Sequence, residues 1–395
     1  MIAYVFPAHR LETHAQPFHR STAGDSVAGR EVLDLTISNP TRAGLRYDEE
    51  FILKSLVNPR ALDYEPQSKG LHSAREAVAT YYRDQHTSDI DSESLILTTS
   101  TSEGYSYVFR LLCNPGDEVL VPKPSYPLFE FLADLQDVKL VPYPLIYDHG
   151  WQLDFPSIHR AATDQTRAVV VVHPNNPTGS YISESERSAL NEFCGERNLS
   201  LIVDEVFLDY AHDGVPRSTF AANQDALTFT LSGLSKISGL PQMKMAWVAT
   251  SGPKDKAKEK VKAALARLEV IADTYLSMST PIQLATPVLL EQRKRLQPQL
   301  LNRVRTNLKE LDRQLESQKN CGRLDVEGGW YAVLRVPVTR SDEDLAIDIL
   351  RKLSVLVHPG HFYDFPSDGY LVVSLITPTE HFGQGIGRVL ELLNP

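Results

Sequence analysis

The 395-residue chain has little cysteine and no long apolar run. Its three cysteines, Cys113, Cys194 and Cys321, are widely spaced and form no C-x-x-C pair, so a disulfide framework or a cysteine-based metal or redox site is not expected. Free thiols in a reducing compartment are the expected state. No segment approaches the ~20 apolar residues of a membrane span, and the stretch Met1 to Arg10 lacks the apolar core of a secretory signal. We therefore expect a soluble, cytoplasmic protein with no membrane partner.

The chain also lacks an excess of basic residues. Its 40 Lys and Arg against 50 Asp and Glu give a formal net charge of −10, which argues against nucleic acid as a partner because phosphate backbones require a broad basic surface. Apolar residues are abundant, at 42% of the chain. A chain of this length and composition favours two structural units and a small-molecule substrate.

Between residues 94 and 250, short β-branched segments alternate with helical stretches, which is typical of an α/β fold with a mainly parallel sheet. Seven strands are predicted, at 94–98, 118–121, 139–143, 168–173, 199–204, 226–231 and 243–249. The valine-rich segment 168–173 has no polar alternation, so helices should cover both faces of the sheet. We predict a three-layer α/β/α large domain over residues 46–289, and a smaller α+β domain from residues 1–45 and 290–395.

Polar residues follow several of these strands, where such sheets bind ligands. Ser100, Thr101 and Ser102 lie between a strand and a helix, where free N–H groups, hydroxyls and the helix dipole could hold a phosphate; an ordinary helix N-cap is the alternative. Asn176, in the turn Asn-Asn-Pro-Thr-Gly, could donate to an anionic oxygen on a ligand. A plain loop is the alternative there.

A carboxylate and an amine complete this set of residues. Asp204 ends an apolar strand, where a charge is costly unless a cation or several donors compensate it. A helix N-cap or a salt bridge would do this, and a protonated ring nitrogen would add a charge-assisted bond worth roughly 1.5–3 kcal/mol. Lys236 follows Ser235, and a surface position is the ordinary interpretation of a lysine. In a closed pocket beside a second cation, which Lys244 could supply, Lys236 would become an amine nucleophile.

Taken together, these residues resemble the class I/II aminotransferases of the fold-type I (aspartate aminotransferase) superfamily, which depend on pyridoxal 5′-phosphate (PLP). The resemblance covers nearly the whole chain and rests on the order and spacing of Asn176, Asp204 and Lys236. It implies that Lys236 holds PLP as a Schiff base, the internal aldimine. It also implies that Asp204 pairs with the pyridine nitrogen and that Asn176 contacts the 3′-oxygen.

The same resemblance implies further cofactor contacts. Ser100, Thr101 and Ser102 would form the phosphate loop, and Tyr126 would stack on the ring. Ser235 and Lys244 are also assigned to the cofactor site. Tyr64 resembles a tyrosine that reaches the phosphate of the neighbouring subunit, which implies a homodimer with shared active sites. Core packing remains the alternative for both tyrosines.

Two departures from the family pattern concern the cofactor. Lys244 stands where an arginine usually grips the phosphate with two hydrogen bonds, so a point charge with less geometric control is expected. Phe207 stands where a tyrosine often donates to the 3′-oxygen. Without that donor, the internal aldimine should be protonated more easily, and we predict that its pKa is raised.

A third departure concerns the substrate. Val372 stands where most relatives have the arginine that grips the α-carboxylate, so either another cation replaces it or the substrate lacks a conventionally placed carboxylate. Arg42 and Arg46, close to the turn that contains Asn39, are the candidate cations. His361 and His358 could line the same pocket, although a structural turn is the alternative and their spacing suits no standard zinc site. No metal site is predicted.

The resemblance implies an enzyme that transfers an amino group between an amino acid, or an amine, and a 2-oxo acid. Lys236 would act as the general base once the substrate amine has displaced it. Other fold-type I chemistry is the alternative, such as a β-eliminating lyase, a decarboxylase or a cyclising synthase. A non-catalytic PLP-binding protein is the third hypothesis.

Overall fold

The structure is a computed structural model, and it describes residues 26–27, 30–127, 129–254 and 258–393. Its strands are β1 (Ser26–Val27), β2 (Arg30–Glu31), β3 (Leu33–Asp34), β4 (Leu95–Thr98), β5 (Glu118–Lys123), β6 (Lys139–Tyr147), β7 (Trp151–Leu153), β8 (Thr166–Val172), β9 (Ser200–Asp204), β10 (Thr228–Gly233), β11 (Ala246–Ser251), β12 (Gly322–Arg323), β13 (Tyr331–Arg335), β14 (Val355–Leu356), β15 (His358–Pro359) and β16 (Tyr370–Ser374). Its helices, numbered in chain order, are α1 (Glu49–Ser55), α2 (His72–His86), α3 (Thr101–Leu112), α4 (Phe129–Asp134), α5 (Phe155–Ala161), α6 (Glu184–Arg197), α7 (Leu234–Ile237), α8 (Lys258–Tyr275), α9 (Thr280–Glu291), α10 (Arg293–Leu315), α11 (Asp342–Leu353) and α12 (Thr379–Leu393).

The largest sheet has the strand order β4-β11-β10-β9-β8-β5-β6-β7. Strands β10, β9, β8, β5 and β6 run parallel, whereas β11 is antiparallel to both of its neighbours. Strand β4 therefore has the same direction as β10, and the carboxyl ends of β4, β8, β9 and β10 share one edge. Segments that follow these four strands are brought together at that edge.

All seven predicted strands are present, and the predicted α/β fold is confirmed. The sheet is larger than predicted, because Trp151–Leu153 adds an eighth strand antiparallel to β6. Three residues are too few to show the alternation on which a strand prediction depends.

Strand β8 shows why its sequence is apolar throughout. Val170 and Val172 belong to one core cluster, and Val169 and Val171 belong to another. All four are at most 5% exposed. Apolar cores therefore cover both faces of the sheet, as the missing polar alternation predicts.

A further core cluster joins strand β3 to the C-terminal part of the chain. Strand β3 pairs in parallel with β14, and Leu33 and Leu35 pack in one cluster with Trp330, Leu371 and Phe382. Strands β12, β13, β16 and β15 form a separate four-stranded sheet there. The domain limits at 45/46 and 289/290 stay a prediction, and the second of them falls within α9. No helix among the described residues is long and apolar enough to cross a membrane.

Candidate active site

A cavity of about 680 Å³ lies at the carboxyl edge of the large sheet, between this edge and residues of the four-stranded sheet. Twelve residues that were singled out from the sequence line it: Asn39, Arg42, Ser100, Thr101, Ser102, Tyr126, Asn176, Asp204, Phe207, Ser235, Lys236 and His358. The strands deliver these residues because the chain leaves the sheet at the same edge each time.

Lys236 lies on the one-turn helix α7, directly after β10. Its Nζ atom is 4.9 Å from the ring centre of Trp330 and 5.4 Å from that of Phe207. Burial lowers the pKa of Lys236 from its ordinary value to about 8, although the charge of Asp204 opposes this shift. Near neutral pH, the amine is therefore much closer to its nucleophilic form than that of an exposed lysine.

Asp204 ends β9 and faces the same cavity. Its carboxylate accepts hydrogen bonds from the Tyr105 hydroxyl at 3.2 Å and from the backbone N–H of Val206 at 3.1 Å. Burial raises the pKa of Asp204 to about 6, because these two donors and the charge of Lys236 compensate the lost hydration only in part. The site thus holds an acid that a cationic ligand group would stabilise.

Asn176 and the start of α3 complete the polar wall. The side-chain oxygen of Asn176 is buried and has no hydrogen-bond partner in the part of the chain that the structure describes. The Ser100 hydroxyl accepts from the backbone N–H of Glu103 at 3.2 Å, so it caps α3. Thr101 and Ser102 line the cavity in the first turn of α3, where helix N–H groups lack intrahelical partners.

Comparison with known proteins identifies the family and agrees with the fold. A family model described as aminotransferase class I and II matches residues 32–380. The chain belongs to this family. It is therefore an enzyme of the transaminase type, and the resemblance inferred from its motifs is confirmed.

Among curated proteins, this aminotransferase is 29% identical to the glutamate-pyruvate aminotransferase AlaA of Haemophilus influenzae, over 96% of this chain and 94% of the relative. It is 28% identical to the alanine aminotransferase of Mycobacterium tuberculosis strain H37Rv, over 95% of this chain and 89% of the relative. Among solved structures, an Escherichia coli aminotransferase superposes with a TM-score of 0.81 at 26% identity, covering 93% of this chain and 91% of that one. The alanine aminotransferase of Pyrococcus furiosus, with a TM-score of 0.82 at 23% identity over 93% of each chain, supports the fold.

Four predicted residues of the aminotransferase lie outside the cavity walls. Lys244 is exposed and ends the short turn Pro241–Met243 with a φ of 47°. Arg46 is exposed, and its backbone exchanges two hydrogen bonds with the side chain of Gln299, at 3.0 and 2.9 Å. His361 is exposed, and Tyr64 is 82% exposed. The single chain does not bring these four together with Lys236.

Val372 has no access to the cavity. It is fully buried in β16, opposite Val333 and His358 on the neighbouring strands. Of the described residues that line the cavity, Arg42 is the arginine and Lys236 is the lysine. Arg42 is therefore better placed than Arg46 to replace the missing arginine.

Sequence reasoning missed Tyr105, the hydroxyl donor to Asp204. This tyrosine follows Thr101 by four residues in α3, so both side chains lie on one face of the helix. That spacing is the signal that would have found it. Trp330, which contacts Lys236, had no such signal because it comes from a distant part of the sequence.

Proposed function

We propose that this aminotransferase binds PLP through Lys236 and transfers an amino group between an amino acid, or an amine, and a 2-oxo acid. One observation carries the proposal: a partly buried lysine with a lowered pKa and a partly buried aspartate with a raised pKa line the same cavity. Opposite shifts of this kind are typical of catalytic sites.

The cavity residues fit this cofactor. Asp204, with its charge only partly compensated, would pair with the pyridine nitrogen, and the side-chain NH2 of Asn176, which lines the cavity, would donate to the 3′-oxygen. Thr101, Ser102 and Ser235 would hold the phosphate, and Tyr126 would stack on the ring. When bound, PLP supplies an electrophilic carbon and an electron-withdrawing ring.

The protein groups then have separate tasks. The Lys236 amine would hold PLP and, once free, would take a proton from the substrate carbon that bears the amino group. Asp204 would keep a proton on the ring nitrogen through a charge-assisted hydrogen bond. The aromatic rings of Phe207 and Trp330 lie beside the Lys236 amine and would limit its contact with water.

For the substrate carboxylate we propose Arg42, with Asn39 beside it. Arg42 lines the cavity, and a guanidinium group suits a carboxylate because it can donate two parallel hydrogen bonds. Asn39 already accepts from the backbone of Thr41 at 3.0 Å, which fixes the turn that carries Arg42. The names of the relatives place glutamate, alanine and pyruvate first among the substrates to test.

We further propose that the enzyme is a homodimer. Leu53, Val57, Leu62 and Tyr64 are apolar or aromatic and largely exposed, at 60–92%, and a second copy of the chain would cover them. Tyr64 would then reach the neighbouring cofactor phosphate. All three cysteines are free in the structure, which suits the cytoplasm, where we propose that the enzyme acts.

A half-reaction screen tests the transfer. The PLP form of the protein is mixed with single amino acids and with amines that lack an α-carboxylate, and the aminated cofactor is detected by absorbance and mass spectrometry. Accumulation of aminated cofactor without release of ammonia supports the proposal. Release of ammonia and pyruvate with no acceptor present would instead identify a lyase.

A further inference from the structure

The short helix that carries Lys236 is held by side chains from three other segments. The Tyr210 hydroxyl donates to the backbone carbonyl of Lys236 itself at 2.6 Å. The Gln297 side chain donates to the carbonyl of Ile237 at 2.9 Å, and the Tyr47 hydroxyl donates to that of Gly239 at 2.8 Å. Three backbone carbonyls of this turn thus accept hydrogen bonds from side chains that lie outside it.

This external support is needed because α7 has only four residues. One helical turn is unstable by itself, and the backbone donor to the Lys236 carbonyl, the N–H of Gly239, is 3.3 Å away, longer than an ordinary N–H···O bond. Tyr210 is fully buried and Gln297 is 7% exposed. Water therefore cannot replace their hydrogen bonds readily if either side chain is removed.

Gln297 is itself oriented by a buried acid. Its side-chain nitrogen donates to Asp209 Oδ2 at 2.5 Å, while His86 Nε2 and the Tyr81 hydroxyl each lie 2.9 Å from Asp209 Oδ1. The side chains of His86 and Asp209 are 1% and 0% exposed. Burial alone would lower the pKa of His86, but the hydrogen bond and charge of Asp209 raise it above its ordinary value.

We propose that Tyr210 and Gln297, the latter oriented by Asp209, are positioning residues that hold the Lys236 backbone so that its amine meets the cofactor carbon. This inference rests on the proposed function of Lys236. Neither side chain lines the cavity, and the two donate to different carbonyls of the turn. The Tyr210 ring also packs against Trp330 and Phe207, and a phenylalanine would keep that packing.

The matched test compares Tyr210→Phe with Tyr143→Phe. Tyr143 is also buried and also donates its hydroxyl to a backbone carbonyl, that of Val170, at 2.7 Å, but its acceptor lies in the middle of β8. Both variants lose one buried hydrogen bond, so both should lower the melting temperature. We expect only Tyr210→Phe to slow the capture of added PLP by the cofactor-free protein, followed by absorbance, on the order of 10-fold.

In steady state, Tyr210→Phe should lower kcat on the order of 10-fold while KM stays within about twofold of the wild-type value. Tyr143→Phe should leave both kcat and the PLP capture rate within about twofold of the wild-type values, because a distant site with no shared partners does not couple to Lys236. Equal capture rates and equal kcat in the two tyrosine variants, at equal loss of melting temperature, would overturn the inference.

A second pair of variants tests the acid. Asp209→Asn keeps an oxygen that can accept from Gln297, so its PLP capture rate should stay within about threefold of wild type, whereas Asp209→Ala should lose on the order of 10-fold. An alanine variant that captures PLP as fast as the asparagine variant would refute the role of Asp209.

Borohydride labelling of Lys236 in the wild-type protein is checked beforehand. If Lys236 is labelled and the variants behave alike, only the positioning role fails. If Lys236 is not labelled, the proposed function fails first.

Discussion

At the scale of single residues, Asp204 shows how the site trades stability for function. Burial raises the pKa of Asp204 to about 6, against an ordinary value of 3.8. The folded protein without cofactor therefore binds the proton of the Asp204 carboxyl group more tightly than the unfolded chain does. As pH rises from about 4 to 6, ionisation of this group lowers the free energy of unfolding, and above pH 6 the whole of this loss is present.

We therefore predict that Asp204→Asn stabilises the cofactor-free protein at pH 8 while it cripples catalysis. The gain in unfolding free energy should be on the order of 2 kcal/mol, because the amide needs no counter-charge and can keep both neighbours as hydrogen-bond partners. Urea unfolding from pH 4 to pH 8 measures it. A variant less stable than wild type at pH 8, or equally stabilised at pH 4, would contradict this account.

Phe207 gives a second prediction at this scale. A tyrosine hydroxyl at this position would donate a hydrogen bond to the 3′-oxygen of the cofactor. This bond would stabilise the negative charge on that oxygen and so weaken its stabilisation of the protonated Schiff-base nitrogen. The absorbance titration of Phe207→Tyr should therefore move to lower pH than that of the wild type. The ring centres of Phe207 and Trp330 are 5.1 Å apart, so Phe207→Leu serves as the control for lost packing. It should not move the titration to lower pH.

The sequence could place the residues that follow strand ends, and it could not place those that depend on distant packing. Asn176, Asp204 and Lys236 lie where their strands predict. Arg42 and Arg46 could not be separated by sequence, since only the packing of their turn puts the first on the cavity wall. Asp209 and Gln297 carried no signal, because their contact joins a loop after β9 to a helix 88 residues further along the chain.

At the scale of elements, β10 and β11 approach each other closely at Gly233, directly before α7. A Cβ atom on Gly233 would lie 2.8 Å from the Cβ atom of Ala246 and 2.9 Å from its Cα atom. Because the second of these is backbone, the neighbouring strand would have to move. The sequence predicted both strands, but pairing distance is set by side chains on two strands together and is invisible in either one alone.

We predict that Gly233→Ala destabilises the protein by roughly 1–3 kcal/mol and lowers PLP affinity, since overpacking shifts the turn that carries Lys236. Gly195→Ala is the control. Gly195 lies in α6, and a Cβ atom added there would meet no neighbouring atom within 4 Å, so alanine should stabilise by about 0.5–1 kcal/mol. Equal effects of the two substitutions on stability and PLP affinity would count against the account.

At the scale of the whole molecule, the exposed apolar residues before α2 call for a partner surface. Leu62 is 92% exposed, and we predict that Leu62→Glu weakens the proposed homodimer and lowers activity at dilute enzyme, because it would place a charge in an apolar contact. Val338, 68% exposed in the loop before α11, supplies the control substitution Val338→Glu. Analytical sedimentation measures the dimer affinity of both variants. A Leu62→Glu protein with the wild-type dimer affinity would exclude this surface as the dimer interface.

At the scale of the whole molecule, the proposed function depends on one covalent bond, between Lys236 and PLP. Purified enzyme is reduced with borohydride in the presence of PLP, digested and mapped by mass spectrometry. The account predicts a pyridoxyl adduct on Lys236, whereas a protein in which Lys236 remains unmodified would contradict it.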